Sequence, residues 1–284
     1  MRWVRLASGN GVPALGLGTW RLGEAKRSRA AEVSAVRTAL EIGYRLIDTA
    51  EMYGDGGAEE VVGAAIQEAL QGGMVERQEL TIVSKVLPSN ASHAGVVRAC
   101  ERSLKRLQLD TVDLYLLHWR GSVPLKDTVA AFEQLRSEGR IRHWGVSNFD
   151  TSDMQQLQSL SAGVNCVANQ VYYSASERGA EFDLLPWQHD HAVVTMAYSP
   201  IDQGALARDT TFATIGHRHR ISASSAALAW VLRQPGMIAI PMSASESHLR
   251  ENFAAASVDL TAEDLAQVDA QFPPPQRKRP LAMT

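Results

Sequence analysis

The chain has 284 residues, 45% of them hydrophobic and 21% charged, which suits two ordinary domains or one α/β barrel of about 250 residues with a core that needs no staples. A net charge of -3 provides no basic field for nucleic acid or an anionic membrane surface, and the basic run Arg277-Lys278-Arg279 reads as a solvated terminus. Cys100 and Cys166 read as buried thiols in a reducing cytosol; the N-terminus has no signal-peptide core, and no run reaches the ~18 apolar residues of a membrane span.

Asn10-Gly11 between apolar runs predicts a short hairpin, followed by a core strand at 14–18. From there strands and helices alternate. Helix 30–42, capped by Ser28 and closed by Gly43, leads to strand 45–48; helix 58–69 leads to strand 80–85. Helix 92–107 precedes strand 112–118, helix 125–138 precedes strand 141–146, and helix 151–160 precedes strand 167–171. A short helix at 181–188, a strand at 192–198, a helix at 222–232 and a strand at 237–241 follow. Helices at 246–256 and 261–271 end the pattern, the last opened by a Thr-x-x-Asp cap.

Counted from 14–18, eight strands each precede a helix or a long loop. That spacing implies a parallel sheet, and eight units fit a closed barrel better than an open sheet. An open doubly wound fold would carry a Gly-rich fingerprint after its first strand, and Gly16-Leu17-Gly18-Thr19-Trp20 lacks the third glycine. The expected fold is therefore an α/β (β/α)8 TIM barrel with an N-terminal β-hairpin. It forms one domain over 1–284, with its core at about 13–272 and a tail at 273–284 after Pro273-Pro274-Pro275.

In such a barrel, function collects at the C-terminal strand ends. Strand two ends in Asp48, with Tyr53 just beyond; strand three ends in Lys85, strand four in His118-Trp119 and strand five in Ser147-Asn148. Strand six carries Asn169-Gln170 and strand seven ends in Tyr198-Ser199-Pro200. Alone, a strand-end Asp is more often a turn residue, and a lone Lys a surface charge. Together the first four make a chemical unit. A Lys ammonium favours phenolate and lowers a tyrosine pKa, Asp48 can hold that ammonium, and neutral His118 can orient a carbonyl oxygen. Tyr53 would then serve as general acid as hydride reaches the carbon. Glu51 and Asp55 read as solvent-side loop residues.

The motifs Asp48-Thr49-Ala50-Glu51-Met52-Tyr53-Gly54, Ser84-Lys85, Leu114-Tyr115-Leu116-Leu117-His118-Trp119 and Gly145-Val146-Ser147-Asn148-Phe149 resemble the aldo-keto reductase family. Asn169-Gln170, Ala197-Tyr198-Ser199-Pro200, Ile240-Pro241 and Glu251-Asn252 continue the likeness from Pro13 to about Phe272, and Phe182-Asp183-Leu184-Leu185-Pro186-Trp187 looks like compact bacterial methylglyoxal and small-aldehyde reductases. The resemblance implies metal-free carbonyl reduction by NADPH, with Tyr53 as proton donor and Asp48, Lys85 and His118 as its partners. It implies that Ser147, Asn148 and Gln170 hold the nicotinamide carboxamide, that Tyr198 stacks on the ring and that Ser199 and Ile201 line the pyrophosphate path. Gly18, Thr19, Trp20, Ser243, His248, Glu251 and Asn252 complete the implied cofactor set, and Trp20 and Trp119 wall the substrate pocket.

The chain also departs from the pattern. Where the family commonly has Ile-Pro-Lys-Ser and then an Arg, Ile240-Pro241-Met242-Ser243 and His248 stand here. Lys and Arg there would pair with the 2′-phosphate that separates NADPH from NADH. Ser243, Arg250 and a helix N-terminus near Ser245 remain as phosphate partners, so the expectation is a weakened NADPH preference with NADH use possible. A connection at 201–220 could fold over the cofactor, and few elaborations around the mouth suggest a shallow site for small carbonyl substrates. Arg120 and His191 offer charge nearby. Two other readings exist: a non-catalytic cofactor-sensing subunit, which would carry extra assembly segments, and a lyase or isomerase using Lys85 as a Schiff-base nucleophile. A cytoplasmic monomer is the default expectation.

Overall fold

The computed structural model describes residues 2–24 and 26–283; Met1, Ala25 and Thr284, the last residue of the expected tail, lie outside it. Strands β1 (Trp3–Arg5) and β2 (Gly11–Pro13) pair antiparallel as the expected hairpin. Eight parallel strands then run in sequential order: β3 (Leu17–Gly18), β4 (Leu46–Asp48), β5 (Thr81–Val86), β6 (Val112–Leu117), β7 (Ile141–Ser147), β8 (Cys166–Tyr172), β9 (Val194–Tyr198) and β10 (Met237–Ala239).

The sheet closes on itself. Ala239 N–H donates to the Ala14 carbonyl at 2.8 Å, Gly16 N–H to the Ala239 carbonyl at 2.9 Å and Gly18 N–H to the Pro241 carbonyl at 3.1 Å. Gly18 is required at this seam, because a Cβ there would sit 2.7 Å from the Ile240 carbonyl oxygen. The result is the expected (β/α)8 barrel, whose strands are buried on both faces as parallel strands must be.

Helices surround it: α1 (Arg29–Ile42), α2 (Gly57–Gln71), α3 (His93–Leu107), α4 (Leu125–Ser137), α5 (Thr151–Gln158), α6 (Leu184–Asp190), α7 (Thr210–His219), α8 (Ala223–Leu232), α9 (Glu246–Ala255) and α10 (Ala262–Gln271). The caps explain their ends. Ser28 accepts from the Ala31 N–H to start α1, and Gly43 closes it at φ 119°. Thr261 and Asp264 form a reciprocal capping box on α10. The short helix expected at 181–188 begins three residues later, at Leu184, after a 3-10 turn at Gly179–Glu181.

Two stretches depart from the sequence reading. The 201–220 connection contains α7, capped by Asp209 and anchored by buried Phe212 and Ile215. The terminal tail also has a place: Leu281 packs against the core, Lys278 pairs with Asp183 at 2.8 Å, and Met283 lines the cleft at the barrel mouth. Lys278 is thus tied down within the basic run. Both cysteines are buried and free, and burial pushes each thiol up to about 12. Among the described residues no helix is long and apolar enough to cross a membrane.

Candidate active site

Strand periodicity aims the central lysine. Successive side chains on β5 point to opposite faces. Ser84 points outward and bonds Glu59 on α2 at 2.5 Å, so Lys85 points into the barrel, where it is fully buried. Its ammonium donates to Asp48 Oδ2 at 2.6 Å, to the Thr49 carbonyl at 2.9 Å and to the Tyr53 hydroxyl at 3.2 Å. Asp48 is held from the other side as well, since Gln170 Nε2 on β8 donates to its Oδ1 at 2.7 Å across the barrel.

Tyr53 comes from a 3-10 turn after β4 whose path depends on Gly54. Gly54 has φ 57°, and a Cβ on it would lie 2.8 Å from the Gly23 backbone. The Tyr53 ring meets His118 edge-on, with centroids 5.7 Å apart at 75°. His118 Nδ1 is buried without a partner, so Nε2 is the ring nitrogen left to serve a ligand.

The electrostatics correct one expectation. Lys85 does pull the Tyr53 phenol toward ionisation, but burial outweighs it and the pKa ends above the ordinary tyrosine value. Burial likewise opposes the Lys85 ammonium, yet Asp48 and Tyr53 outweigh burial and hold it charged. Burial pushes the Asp48 carboxyl up, against the pull of Lys85 and Gln170. Burial, with Lys85 adding to it, lowers His118 to about 3, so its imidazole is neutral across the working range.

The pH response follows in sign. To act as a general acid the Tyr53 phenol must carry its proton, and burial keeps the proton on through the neutral range. We expect kcat/KM for reduction to be level from about pH 6 to 9 and to fall only as pH rises past the ordinary tyrosine value of about 10. An inflection between pH 6 and 8 in the rate profile would move the proton to another group.

Above this cluster lies a cleft of about 610 Å³. Asp48, Tyr53 and His118 line the end of it nearest Lys85, together with Trp20 and Trp119. Gly18, Ser147, Asn148 and Gln170 line it too, as do Tyr198, Ser199 and Ile201. Ser243, His248, Glu251 and Asn252 form its far end, where α9 begins after Ser245. Thr19 does not line the cleft: it is fully buried, and its hydroxyl donates to the Asp48 carbonyl at 2.9 Å. Lys85 lies beneath the floor.

The wall groups are held by one another. Asn148, at φ 59°, donates to the His118 carbonyl and to Ser147 Oγ, both at 3.1 Å, and accepts from the Tyr198 hydroxyl at 2.9 Å. Gln170 spends its amide nitrogen on Asp48, which leaves its carbonyl oxygen as the free acceptor.

Other expected groups go elsewhere. Arg120 pairs with Asp153, and His191 stacks on Trp187 with centroids 4.0 Å apart. Arg250 pairs with Glu246 at 2.8 Å and does not line the cleft. Glu51 is not a solvent-side residue: it is buried, and it accepts from the Leu87 N–H at 2.8 Å, Asn90 at 2.9 Å and Arg102 at 3.3 Å. Asp55 is exposed as expected. The sequence reading missed Met52, Gln203, Ser224 and Met283 as lining residues. Met52 sits inside the quoted motif, so proximity to Tyr53 was the available signal; Met283 had none.

A buried Asp–Lys–Tyr chain beside a neutral imidazole, under a cleft of amides and hydroxyls, is a site that can protonate a carbonyl oxygen during reduction. The comparisons agree with that class. The model of the aldo/keto reductase family matches residues 14–271, and this chain belongs to that family. It is 45% identical to the methylglyoxal reductase YeaE of Escherichia coli (strain K12), over 99% of each chain. It is 35% identical to the glyoxal reductase of Bacillus subtilis (strain 168), over 94% of this chain and 91% of that one. An aldo-keto reductase from Klebsiella pneumoniae, solved in complex with NADPH, superposes with a TM-score of 0.94 at 47% identity, covering 100% of this chain and 99% of its own.

Proposed function

We propose that the protein reduces small aldehydes, ketones and dicarbonyls of the methylglyoxal type to alcohols with NADPH, in the cytoplasm and as a monomer. The observation that carries this reading is the hydrogen-bonded chain from Asp48 through Lys85 to Tyr53 at the floor of the cleft. The names of the E. coli and B. subtilis relatives support the substrate class, and the NADPH complex of the K. pneumoniae relative supports the cofactor.

The polar lining fits a nicotinamide dinucleotide: Ser147 Oγ, whose proton goes to the Gln170 backbone carbonyl at 2.9 Å, and the Gln170 side-chain oxygen offer acceptors for a carboxamide N–H, and the Tyr198 ring, stacked on Tyr172, lines the cleft beside them. When bound, the cofactor supplies hydride to the carbonyl carbon. Tyr53 gives its proton to the carbonyl oxygen, and Lys85 stabilises the phenolate left behind. Asp48 keeps Lys85 charged and in place, so it acts on Tyr53 only indirectly. Neutral His118 orients the carbonyl through Nε2, and Trp20 and Trp119 wall the substrate. NADPH oxidation followed with methylglyoxal and a panel of aldehydes and ketones tests the reading; no turnover across the panel sinks it.

The far end of the cleft sets cofactor choice. Met242 is 37% exposed and lines the cleft where a cation would meet a 2′-phosphate, and His248 lines it where the family commonly has an Arg. The 2′-phosphate is left to Ser243, His248 and the first turn of α9. We expect a modest NADPH preference, and Met242→Lys should tighten NADPH by about fivefold while leaving NADH within about twofold, as for a largely exposed ion pair. Titration of both cofactors checks this, and a clear NADH preference in the parent protein refutes it.

A further inference from the structure

Two buried carboxylates flank Tyr53 and take no part in the proton transfer described above. Glu59 on α2 is fully buried; it accepts from Ser84 Oγ at 2.5 Å and from Arg106 Nε at 2.6 Å. Glu51, in the loop after β4, is buried as well and accepts from the Leu87 N–H, Asn90 and Arg102. Arg102 and Arg106 stand one helical turn apart on α3. Ser84 and Leu87 bracket Lys85, one within β5 and one just past its end. The segment that carries Tyr53 is therefore gripped on both sides, and both grips close on the strand that carries Lys85.

Tyr53 needs such a grip. Asp48 and Lys85 lie on paired strands, whose ladder sets Asp48 opposite Val83. Tyr53 has no ladder to hold it: β4 ends at Asp48, and Gly54, Asp55 and Gly56 follow Tyr53 at φ 57°, 53° and 89°. Its hydroxyl nonetheless lies 3.2 Å from Lys85 Nζ. Glu51, between Asp48 and Tyr53, is tied to the lysine's strand twice. Its N–H donates to the Lys85 carbonyl at 3.3 Å, and its carboxylate accepts from the Leu87 N–H at 2.8 Å.

Stability does not account for this arrangement. The Arg102 side chain is 47% exposed, so its pair with Glu51 contributes little, and apolar side chains could fill the same space without burying a charge. Placement does account for it, because an error of about 1 Å near the chemistry can cost about 10²-fold in rate.

We propose that Glu51 is a positioning residue for Tyr53, its carboxylate stapling the Tyr53 loop to the Leu87 N–H so that the phenol meets Lys85. Glu51 does not line the cleft, so it acts through Tyr53 and not on a ligand. The inference rests on the reductase reading above. The test compares Glu51→Ala, Glu51→Asp and Glu51→Gln, each alone and combined with Tyr53→Phe. Glutamine keeps an acceptor oxygen in reach of the Leu87 N–H, whereas aspartate keeps the charge and falls one methylene short.

With methylglyoxal and saturating NADPH, kcat should fall about 30-fold in the Ala and Asp variants and about threefold in Gln, with the Kd of NADPH held within about twofold. In the Tyr53→Phe background the same changes should alter the residual kcat by less than about twofold, since the hydroxyl they place is gone. Equal losses in both backgrounds, a rise in Kd parallel to the loss of kcat, or Ala and Asp variants within about twofold of the parent kcat overturn the inference. Should Glu51→Ala fail to fold, the Asp and Gln variants decide. Placement is also read without turnover, by fluorine NMR of protein labelled with fluorotyrosine, in which Tyr53→Phe identifies the Tyr53 resonance. That resonance should be single and sharp in the parent and in Gln, and broadened or split in Ala and Asp. A parent that reduces no carbonyl sinks the reductase reading; a resonance unchanged in Ala and Asp sinks this one.

Discussion

Replacing Tyr53 with phenylalanine is expected to lower kcat for carbonyl reduction by about 10³-fold, the middle of the range for a positioned general acid. The substitution keeps the ring that meets His118 edge-on at 5.7 Å and removes only the hydroxyl, which accepts from Lys85 at 3.2 Å. Losing that one hydrogen bond should cost about 1 kcal/mol of stability, too little to unfold a protein with this core. Cofactor titration should therefore give nearly the parent Kd while turnover collapses. A Tyr53→Phe enzyme within threefold of the parent kcat would remove Tyr53 from the proton-transfer step. A parallel loss of cofactor affinity would mean that the phenol was holding the site rather than reacting in it.

Much of this was legible because barrel physics is periodic. Alternating strands and helices fix the order of the sheet, and the C-terminal strand ends then bring Asp48, Lys85 and His118 to one mouth. Ser84 and Lys85 show the rule at work, one side chain bonded to α2 and the next buried in the barrel. What was illegible depended on distant partners. Glu51 looked like a loop carboxylate, yet its acceptors are filled by Leu87, Asn90 and Arg102, 36 to 51 residues away. Helix α7 was missed because Thr210-Thr211 and Gly216 are poor helix formers; packing of Phe212 and Ile215 overrides that propensity. The direction of the Tyr53 pKa failed for a similar reason. The sequence displays the lysine that lowers it, but only the folded barrel displays the burial that raises it further.

The lysine offers the sharpest separation of chemistry from architecture. Lys85→Met should destabilise the fold by about 3–5 kcal/mol, because it leaves a buried carboxylate without its counter-charge. Asp48 would keep the Gln170 amide at 2.7 Å, but a neutral donor cannot replace the ammonium at 2.6 Å. Pairing the change with Asp48→Asn removes the stranded charge. The double variant should recover most of the lost stability, since neutral groups of similar volume replace a buried ion pair at little net cost. Activity should not recover with it. On the proposed mechanism Tyr53 would still lack the donor at 3.2 Å that is to stabilise its phenolate, and kcat should stay at least about 10²-fold down in both proteins. Urea unfolding of the two variants, set against kcat at saturating NADPH, reads both quantities. A double variant no more stable than Lys85→Met would refute the stranded-charge account. Full kcat in either variant would make Lys85 a structural residue and leave Tyr53 working without it.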